Sequence, residues 1–267
     1  MKKMAQRLST YSFFTLFIFI VMCSGISWSK DDPVKIGVLA KRGVVRCIEK
    51  WTPTAQYLTR KIPGKTFKII PVDFDGIVSF VESDTIDFVL ANPSIYVELE
   101  SWYGVSRIAT LENKRIGQVV TKFGGLIFCK ADRKDIQTLN DLKGKTFMAV
   151  KQTSFGGWRT AFREFKENGI DPYSDFKEIQ FRSMQDTVVY SVRDGKIDAG
   201  TVRTDTLERM AMDEKIDVNT FRIINDLSKN YKDFPFLCST KLYPEWPFAK
   251  LKNISNELAE KSCNSII

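Results

Sequence analysis

An α/β fold in two lobes is what this sequence predicts, and three observations carry the expectation. Short apolar runs alternate with amphipathic stretches along the chain, the pattern of strands followed by crossover helices. Several of those runs end in turns of Gly, Ser, Thr, Asn or Arg at the point where a helical pattern begins. Two parts of the chain also echo each other. I-D-F-V-L-A-N at 86 sets against I-D-A-G-T-V-R at 197, which places Asn92 opposite Arg203, and K-I-G-V-L-A-K-R-G at 35 sets against K-T-F-M-A-V-K-Q-T at 145.

The chain opens with Lys2, Lys3 and Arg7, an apolar run over 11–23, and then Ser27-Trp28-Ser29. A basic start, a short apolar stretch and small residues before a cut describe a secretory signal peptide over 1–29. An uncleaved anchor stays open, and a lipoprotein is disfavoured because Met22 stands where a small residue should precede Cys23. Cleavage after Ser29 leaves 238 of the 267 residues, and takes the formal charge from +8 to +5 by removing three basic side chains. Nothing later in the chain is apolar enough to cross a bilayer.

The first strand is expected over 35–40, with Lys41-Arg42-Gly43 turning into a helix that runs to about Ile62. Trp51, Ala55, Leu58 and Ile62 form its buried face, and Pro53 kinks the helix or restarts it behind Thr52. Pro63-Gly64 stops it. Strand 67–72, with Pro71 at its end, and a short helix over 75–82 follow. Strand 86–91 runs into Asn92-Pro93-Ser94, a cap followed by Pro at the first helical position, with Ile95, Leu99 and Trp102 facing inward. Strand 107–111, a polar loop and strand 124–130 come next, then a connection over 135–142 that Gly144 ends. After strand 146–150 lies K-Q-T-S-F-G-G-W, with Trp158, Ala161, Phe162 and Phe165 on one face of the next helix and Trp158 read as core. Asn168-Gly169 and Pro172 end that helix. Strand 178–181, a helix over 185–193 and strand 197–202 follow. Asp205 with Glu208 resembles a capping box, ahead of a helix face of Leu207, Met210 and Ala211. Strands over 221–226 and 234–240, a rigid turn over 242–247 and a helix from 255 to 263 complete the chain. A single domain is expected over 30–267, lobe 1 being about 34–125 with 234–267 and lobe 2 about 132–226.

In open α/β sheets ligands bind beyond the carboxyl ends of the strands, so two facing lobes direct these turns into one cleft. Thr153, Ser154, Phe155, Gly156 and Gly157 offer hydroxyls, approachable backbone N–H groups and a positive helix end, with Thr153 and Ser154 placed to cap the helix. Arg203 and Thr204 add a guanidinium fork and a second helix start. Asn92 and Tyr96 come from the first lobe, and Lys41, Arg42 and Arg46 are basic near its first turn. Together these groups suit a small anion held without chemistry. Arg203→Ala, or Thr153→Ala with Ser154→Ala, is expected to weaken binding with the fold intact.

The chain has no histidine, which excludes Ser-His-Asp and Cys-His catalysis and every His-ligated metal. Cysteines at 23, 47, 129, 238 and 263 show no C-x-x-C spacing; pairing among the last four stays open, with Cys129 and Cys238 placed on strands that could be neighbours. No basic patch interleaved with aromatics calls for nucleic acid. No catalytic residue, cofactor or metal is expected, and the chain is expected to act as a monomer.

Seven segments carry a family resemblance: K-I-G-V-L-A, F-K-I-I-P-V-D-F-D, D-F-V-L-A-N-P-S-I-Y-V, L-K-G-K-T-F-M-A-V, T-S-F-G-G-W, D-A-G-T-V-R-T-D and L-C-S-T-K-L-Y-P-E-W-P-F-A. From about Val34 onward the chain resembles the substrate-binding proteins of phosphate/phosphite/phosphonate ABC transporters. That resemblance implies the type 2 periplasmic binding fold, two α/β lobes closing on a ligand about a hinge, with T-S-F-G-G-W in the place of the family's anion-gripping turn. Within the group it looks closest to the branch used as extracytoplasmic input domains of sensor histidine kinases and diguanylate cyclases. The family's phosphonate binders place more Ser, Tyr and His around the anion. Such relatives also continue past the final helix, so a free binding protein, a shortened sensor gene and a fragment all stay open. Two functions follow as expectations: a periplasmic protein delivering a phosphonate-, phosphite- or phosphate-like ligand or a sulfur oxyanion to an ABC permease, or an input module for a kinase or cyclase. An enzyme is the third class, and no paired acids in the turns support it.

Overall fold

A computed structural model describes residues 32–41 and 43–266, so the expected leader over 1–29 and the candidate contact Arg42 lie outside the described residues. The described chain is built on two five-stranded sheets. The first contains β1 (Val34–Leu39), β2 (Phe67–Val72), β3 (Phe88–Leu90), β4 (Ser106–Thr110) and, from near the far end of the chain, β14 (Pro247–Lys250), in the order β2-β1-β3-β14-β4. The second contains β8 (Gly125–Lys130), β9 (Thr146–Ala149), β10 (Glu178–Phe181), β11 (Ala199–Arg203) and β12 (Phe221–Ile224), in the order β10-β9-β11-β8-β12. The two orders are the same pattern. In each, three parallel strands are followed by one antiparallel strand, β14 or β8, which then pairs with an edge strand.

The sequence echo is the visible trace of this duplication, because β1 and β9 hold equivalent places, as do β3 and β11. The repeated Ile-Asp pair does the same work twice. Asp87 accepts the N–H of Lys35 at the start of β1 (2.6 Å), and Asp198 accepts the N–H of Thr146 at the start of β9 (2.8 Å). Each carboxylate thereby satisfies a strand-end donor that the ladder leaves over. Asp198 also takes the Thr146 hydroxyl (2.8 Å) and an Arg133 guanidinium.

Helices cover both faces of the sheets, as a mostly parallel sheet requires. In the first lobe α1 (Val44–Lys61), α2 (Ile77–Glu82), α3 (Pro93–Tyr103) and α8 (Asn256–Ile266) enclose a core that includes Val38, Leu58, Phe88 and Leu99. α1 runs unbroken through Pro53, which sits on the exposed side where the carbonyl it orphans can meet water. α3 starts as expected: the Asn92 side chain accepts from Ser94 and Ile95 N–H groups at 3.0 and 3.1 Å. Trp102, expected to face inward, is 70% exposed, because the buried stripe steps from Ile95 to Leu99 and then to the partly buried Tyr103.

In the second lobe α4 (Thr160–Glu167) and the short α5 (Pro172–Asp175) cover one face, and α6 (Gln185–Arg193) and α7 (Thr206–Met212) the other. Trp158 is core, as expected: it lies within 6.4 Å of the ring centroids of Phe147, Phe162, Tyr173 and Phe181. The polar loop after β4 is a hairpin, β5 (Asn113–Arg115) with β6 (Gln118–Val120), turning through Ile116 and Gly117 at positive φ.

The stretch 234–240 is not a strand. It lies beside β8, joined by one backbone bond, from the Ser239 N–H to the Gly125 carbonyl at 2.9 Å, and by hydroxyls: Ser239 Oγ accepts the Ile127 N–H and Thr240 Oγ1 the Gly125 N–H, each at 2.9 Å. The two sheets are joined by segments that pair with each other, β7 (Lys122–Phe123) against β13 (Tyr243–Pro244). Beside this ribbon, Gly124 and Gly125 admit no side chain. An added Cβ would come within 2.8 Å of the Lys241 carbonyl oxygen and Thr240 Oγ1 at Gly124, and within 2.5 Å of Thr160 Oγ1 at Gly125. Cys47, Cys129, Cys238 and Cys263 are free thiols, and Cys238 lies outside any strand.

The paired aspartates give a direct test. Asp87→Ala and Asp198→Ala each orphan a partly buried strand-start N–H, so each should cost ~1–3 kcal/mol in chemical denaturation. Asp198→Ala is expected to cost more, because Arg133 and the Thr146 hydroxyl lose a partner with it.

Candidate functional site

The carboxyl ends of β1, β3, β9 and β11 all deliver side chains to the space between the sheets. Two cavities of about 540 and 520 Å³ lie there, sharing Lys41, Arg46, Gln185, Arg203, Arg209 and Trp246 in their walls. They are therefore two chambers of one cleft, in the size range of small-molecule sites. The lobes touch across it. Asn92 Nδ2 donates to the Thr153 carbonyl at 3.3 Å, and Lys151 Nζ lies 3.4 Å from Asp75 Oδ2.

The smaller chamber is lined by Ser154, Phe155, Gly156 and Gly157 together with Asn92. Here the local structure departs from a capped helix. The chain passes through one π-helical turn, Phe155–Arg159, before α4 begins, and neither Thr153 nor Ser154 caps it through its side chain. The Ser154 carbonyl instead accepts the Arg159 N–H at 3.0 Å, five residues on. The two glycines make this wide turn possible. A Cβ on Gly157 would come within 2.5 Å of Val150, and one on Gly156 within 3.0 Å of the Gly124 carbonyl oxygen and Phe123. Bare backbone at a wide turn is a recurrent feature of binding sites, and among the described residues the Ser154 hydroxyl makes no side-chain cap to the helix.

Arg203 ends β11 inside the protein, with 5% of its surface exposed. Its fork is occupied: both terminal nitrogens bond the carboxylate of Glu245, one at 3.2 Å and the other closer. The guanidinium lies 4.0 Å from the centroid of Phe123, so the charge is held between a carboxylate and a ring face. Arg203 Nε has no hydrogen-bond partner among the described residues. Gln185 Oε1 anchors the strand end by accepting the Arg203 N–H at 2.7 Å and the Thr206 hydroxyl at 2.8 Å.

Asp205, expected to cap α7, does not. It sits in the left-handed region (φ 72°) with its carboxylate 2.8 Å from Arg209 Nε and 3.2 Å from Arg115 Nε. Charged partners outcompete the helix N–H groups for that carboxylate. Glu208, its expected reciprocal partner, accepts the Leu237 N–H instead (2.7 Å), and burial pushes its carboxyl pKa up.

Lys41 is half-buried with its ammonium 4.6 Å above the Trp246 ring, and burial first, then the charges of Arg203 and Arg115, push its pKa well below the usual lysine value. Arg46 lines both chambers and makes no ion pair among the described residues.

Of the sequence candidates, Asn92, Ser154, Phe155, Gly156, Gly157 and Arg203 meet in the cleft. Thr153 contributes its carbonyl to the contact with Asn92. Tyr96 points back into its own lobe, donating to Glu100 and accepting the Arg107 N–H. Thr204 is buried at the hinge, where its hydroxyl accepts the Gly124 N–H at 3.2 Å. Sequence reading missed Glu245, Arg115, Gln185 and the carboxylate of Asp205. An acid between Pro244 and Trp246-Pro247 was the available signal for Glu245, because an ionised group fixed in an apolar turn needs a buried partner.

Arg203→Ala therefore cannot separate binding from folding. It strands the Glu245 carboxylate, and a loss of ~3–5 kcal/mol is expected in equilibrium unfolding, with part of it recovered by adding Glu245→Gln.

Comparison with known proteins fits this geometry. The family model described as the periplasmic substrate-binding protein of phosphonate ABC transporters matches residues 36–261. The tetrathionate sensor histidine kinase TtrS of Salmonella typhimurium is 33% identical over 242 residues, which is 90% of this chain and 40% of that protein. The chain thus spans about two fifths of that relative's length. Among solved structures, a binding-protein component of an ABC phosphonate transporter from Pseudomonas aeruginosa superposes with a TM-score of 0.63 at 18% identity, over 86% of this chain and 72% of that one. A Xanthomonas citri protein solved with ATP gives 0.68 at 16%, over 87% and 81%. PhnD1 of Prochlorococcus marinus, solved with methylphosphonate, gives 0.62 at 14%, over 87% and 81%. At these identities the superpositions show the fold.

Proposed function

This chain belongs to the family of periplasmic substrate-binding proteins of phosphonate ABC transporters, and from that premise we propose that it captures a small oxyanion in the cleft between its two sheets and delivers it to an ABC permease. The observation that carries the reading is the turn at Ser154–Gly157. A serine hydroxyl that does not cap the helix, bare glycine backbone and a helix start open onto a chamber whose other walls bring Lys41, Arg46, Arg203, Arg209 and Lys215 together with Asp186 and Asp213. The ligand class is a phosphonate-, phosphite- or phosphate-like ion or a sulfur oxyanion. The protein is read as a monomer carried to the periplasm by the leader over 1–29; among the described residues no helix is long and apolar enough to cross a membrane. It performs no catalysis in this reading. Its ligand contacts are Asn92, Ser154, Phe155, Gly156 and Gly157, with Arg203 supplying field from behind its carboxylate partner.

A second reading, an extracytoplasmic input module that passes lobe closure to a kinase or cyclase, is favoured by one observation. The sensor kinase match covers 90% of this chain at 33% identity, against 18% and 14% for the Pseudomonas aeruginosa and Prochlorococcus marinus structures. Both readings place the same anion in the same cleft.

Calorimetry with phosphate, phosphite, sulfate, thiosulfate, tetrathionate and alkylphosphonates tests the shared claim. At least one should bind, and Ser154→Ala should weaken it about tenfold, the worth of one hydrogen bond to a charged group, with the melting temperature nearly unchanged. No binding by any of them refutes the reading.

Lys41 adds a pH signature. Its lowered pKa rises when an anion enters, so binding takes up a proton between the free and bound values, and affinity falls as pH rises through the free value, by at most about tenfold per unit. Titrations in two buffers of different ionisation heat should reveal that uptake, and Lys41→Met should abolish it.

A further inference from the structure

We propose that Phe155 is the residue that couples the ligand turn to the hinge: its ring holds the Ser154–Gly157 turn against the ribbon of β7 and β13, so that an anion seated on the turn and the angle between the lobes are set together. The inference rests on the oxyanion reading of that turn and gives a positioning role to a side chain within it.

The surroundings of the ring carry the assignment. Phe155 lies edge-on to Phe123, with centroids 5.7 Å apart and planes at 66°, and to Tyr243, at 5.0 Å and 85°. Those two residues are register partners across the ribbon, Phe123 on β7 and Tyr243 on β13. Phe155 therefore covers a cross-strand pair where the two connecting strands bond to each other. Edge-to-face packing of rings is directional, so the contact defines an angle as well as a distance. Among the described residues between Gly125 and Leu242, Phe155 is also the one apolar side chain that packs against the core of the first lobe, to which Phe123 belongs.

Both ring partners are fixed from behind. Phe123 is buried, with the Arg203 guanidinium 4.0 Å from its centroid, and Arg203 is bound to Glu245. The Tyr243 hydroxyl accepts from Arg163 Nη1 at 3.2 Å, and Arg163 belongs to α4, the helix that the turn leads into. The turn itself has little slack. A Cβ on Gly156 would come within 3.0 Å of the Gly124 carbonyl oxygen and 3.1 Å of Arg203 Cβ, so the backbone there already rests on the end of the ribbon. On its other side the turn meets the first lobe through the Thr153 carbonyl, which accepts from Asn92 Nδ2 at 3.3 Å. Ser154 and Gly156, the ligand donors, flank Phe155 directly. A ligand that draws them inward carries the ring with them, and the ring moves only by turning β7 and β13 with it. Without the ring, fewer molecules present both cleft walls at once, and apparent affinity falls in proportion.

The test uses the full chain and whichever of phosphate, sulfate, thiosulfate and methylphosphonate the wild type binds most tightly. Calorimetry reads affinity, and solution X-ray scattering reads the lobe angle. Saturated wild type should be more compact than free wild type. Phe155→Ala should bind about tenfold more weakly and, once saturated, show at most about half of the wild-type contraction. Phe155→Leu, which keeps apolar bulk, should recover part of both. Ser154→Ala, which removes a ligand donor, should bind more weakly yet contract fully at saturation, and that split separates a positioning ring from a ligand contact. Full contraction in saturated Phe155→Ala overturns the proposal whatever its affinity, and so does loss of all binding in both Phe155 variants. If Phe155→Ala fails to fold, Phe155→Leu decides by the same criterion. A wild type that binds an ion without contracting overturns the coupling and leaves the oxyanion reading standing; a wild type that binds none overturns both.

Discussion

The ion pair between Arg203 and Glu245 is the constraint on which the cleft depends. Arg203 closes the last residue of β11 in one lobe, and Glu245 sits in the return segment leading to β14 in the other. Neither charge could be buried alone. Each is several kcal/mol too costly without its partner, and together they are held by two hydrogen bonds, the Phe123 ring and the Asp205 carboxylate nearby. The Glu245 N–H is in turn fixed to the Thr121 carbonyl at 2.8 Å, which ties the pair to the other connecting segment. One interaction therefore sets where the second sheet ends, where the chain returns, and which wall of the cleft is cationic.

The fold was legible because its signals are local and repeated. The Ile-Asp pairs at 86 and 197 mark the same position in two sheets, and their carboxylates do the same job at the starts of β1 and β9. Asn92 with Pro93 announces a helix start through nearest neighbours alone. The site was less legible because its decisive groups act over long separations. Glu245 meets a residue 42 positions away, and Thr204 and Thr240 reach the Gly124–Gly125 pair from 80 and 115 positions away. The stretch 234–240 has the apolar alternation of a strand, yet beside β8 it keeps one backbone bond, and its serine and threonine hydroxyls accept two of the β8 N–H groups. Asp205 carries a capping residue's chemistry, but three arginines around it settle the matter differently.

The likeness to phosphonate-binding structures extends to the fold, while the chemistry of the cleft comes from this chain's own residues. The two lysines that end β1 and β9 in the sequence echo, Lys41 and Lys151, show how a duplicated frame is put to unequal use. Lys151 sits beside Asp75 and the Phe74 ring, while Lys41 rests over Trp246 within a cluster of like charges. The same strand end that closes one side of the cleft thus charges the other.

The ribbon of β7 and β13 has a mechanical corollary. Two antiparallel strands joined by backbone bonds resist sliding along their length but twist with little cost, so the halves of the molecule are coupled through a torsion spring rather than a ball joint. Gly124 and Gly125, wedged between Thr160, Thr204, Thr240 and the Lys241 carbonyl, clamp one end of that spring.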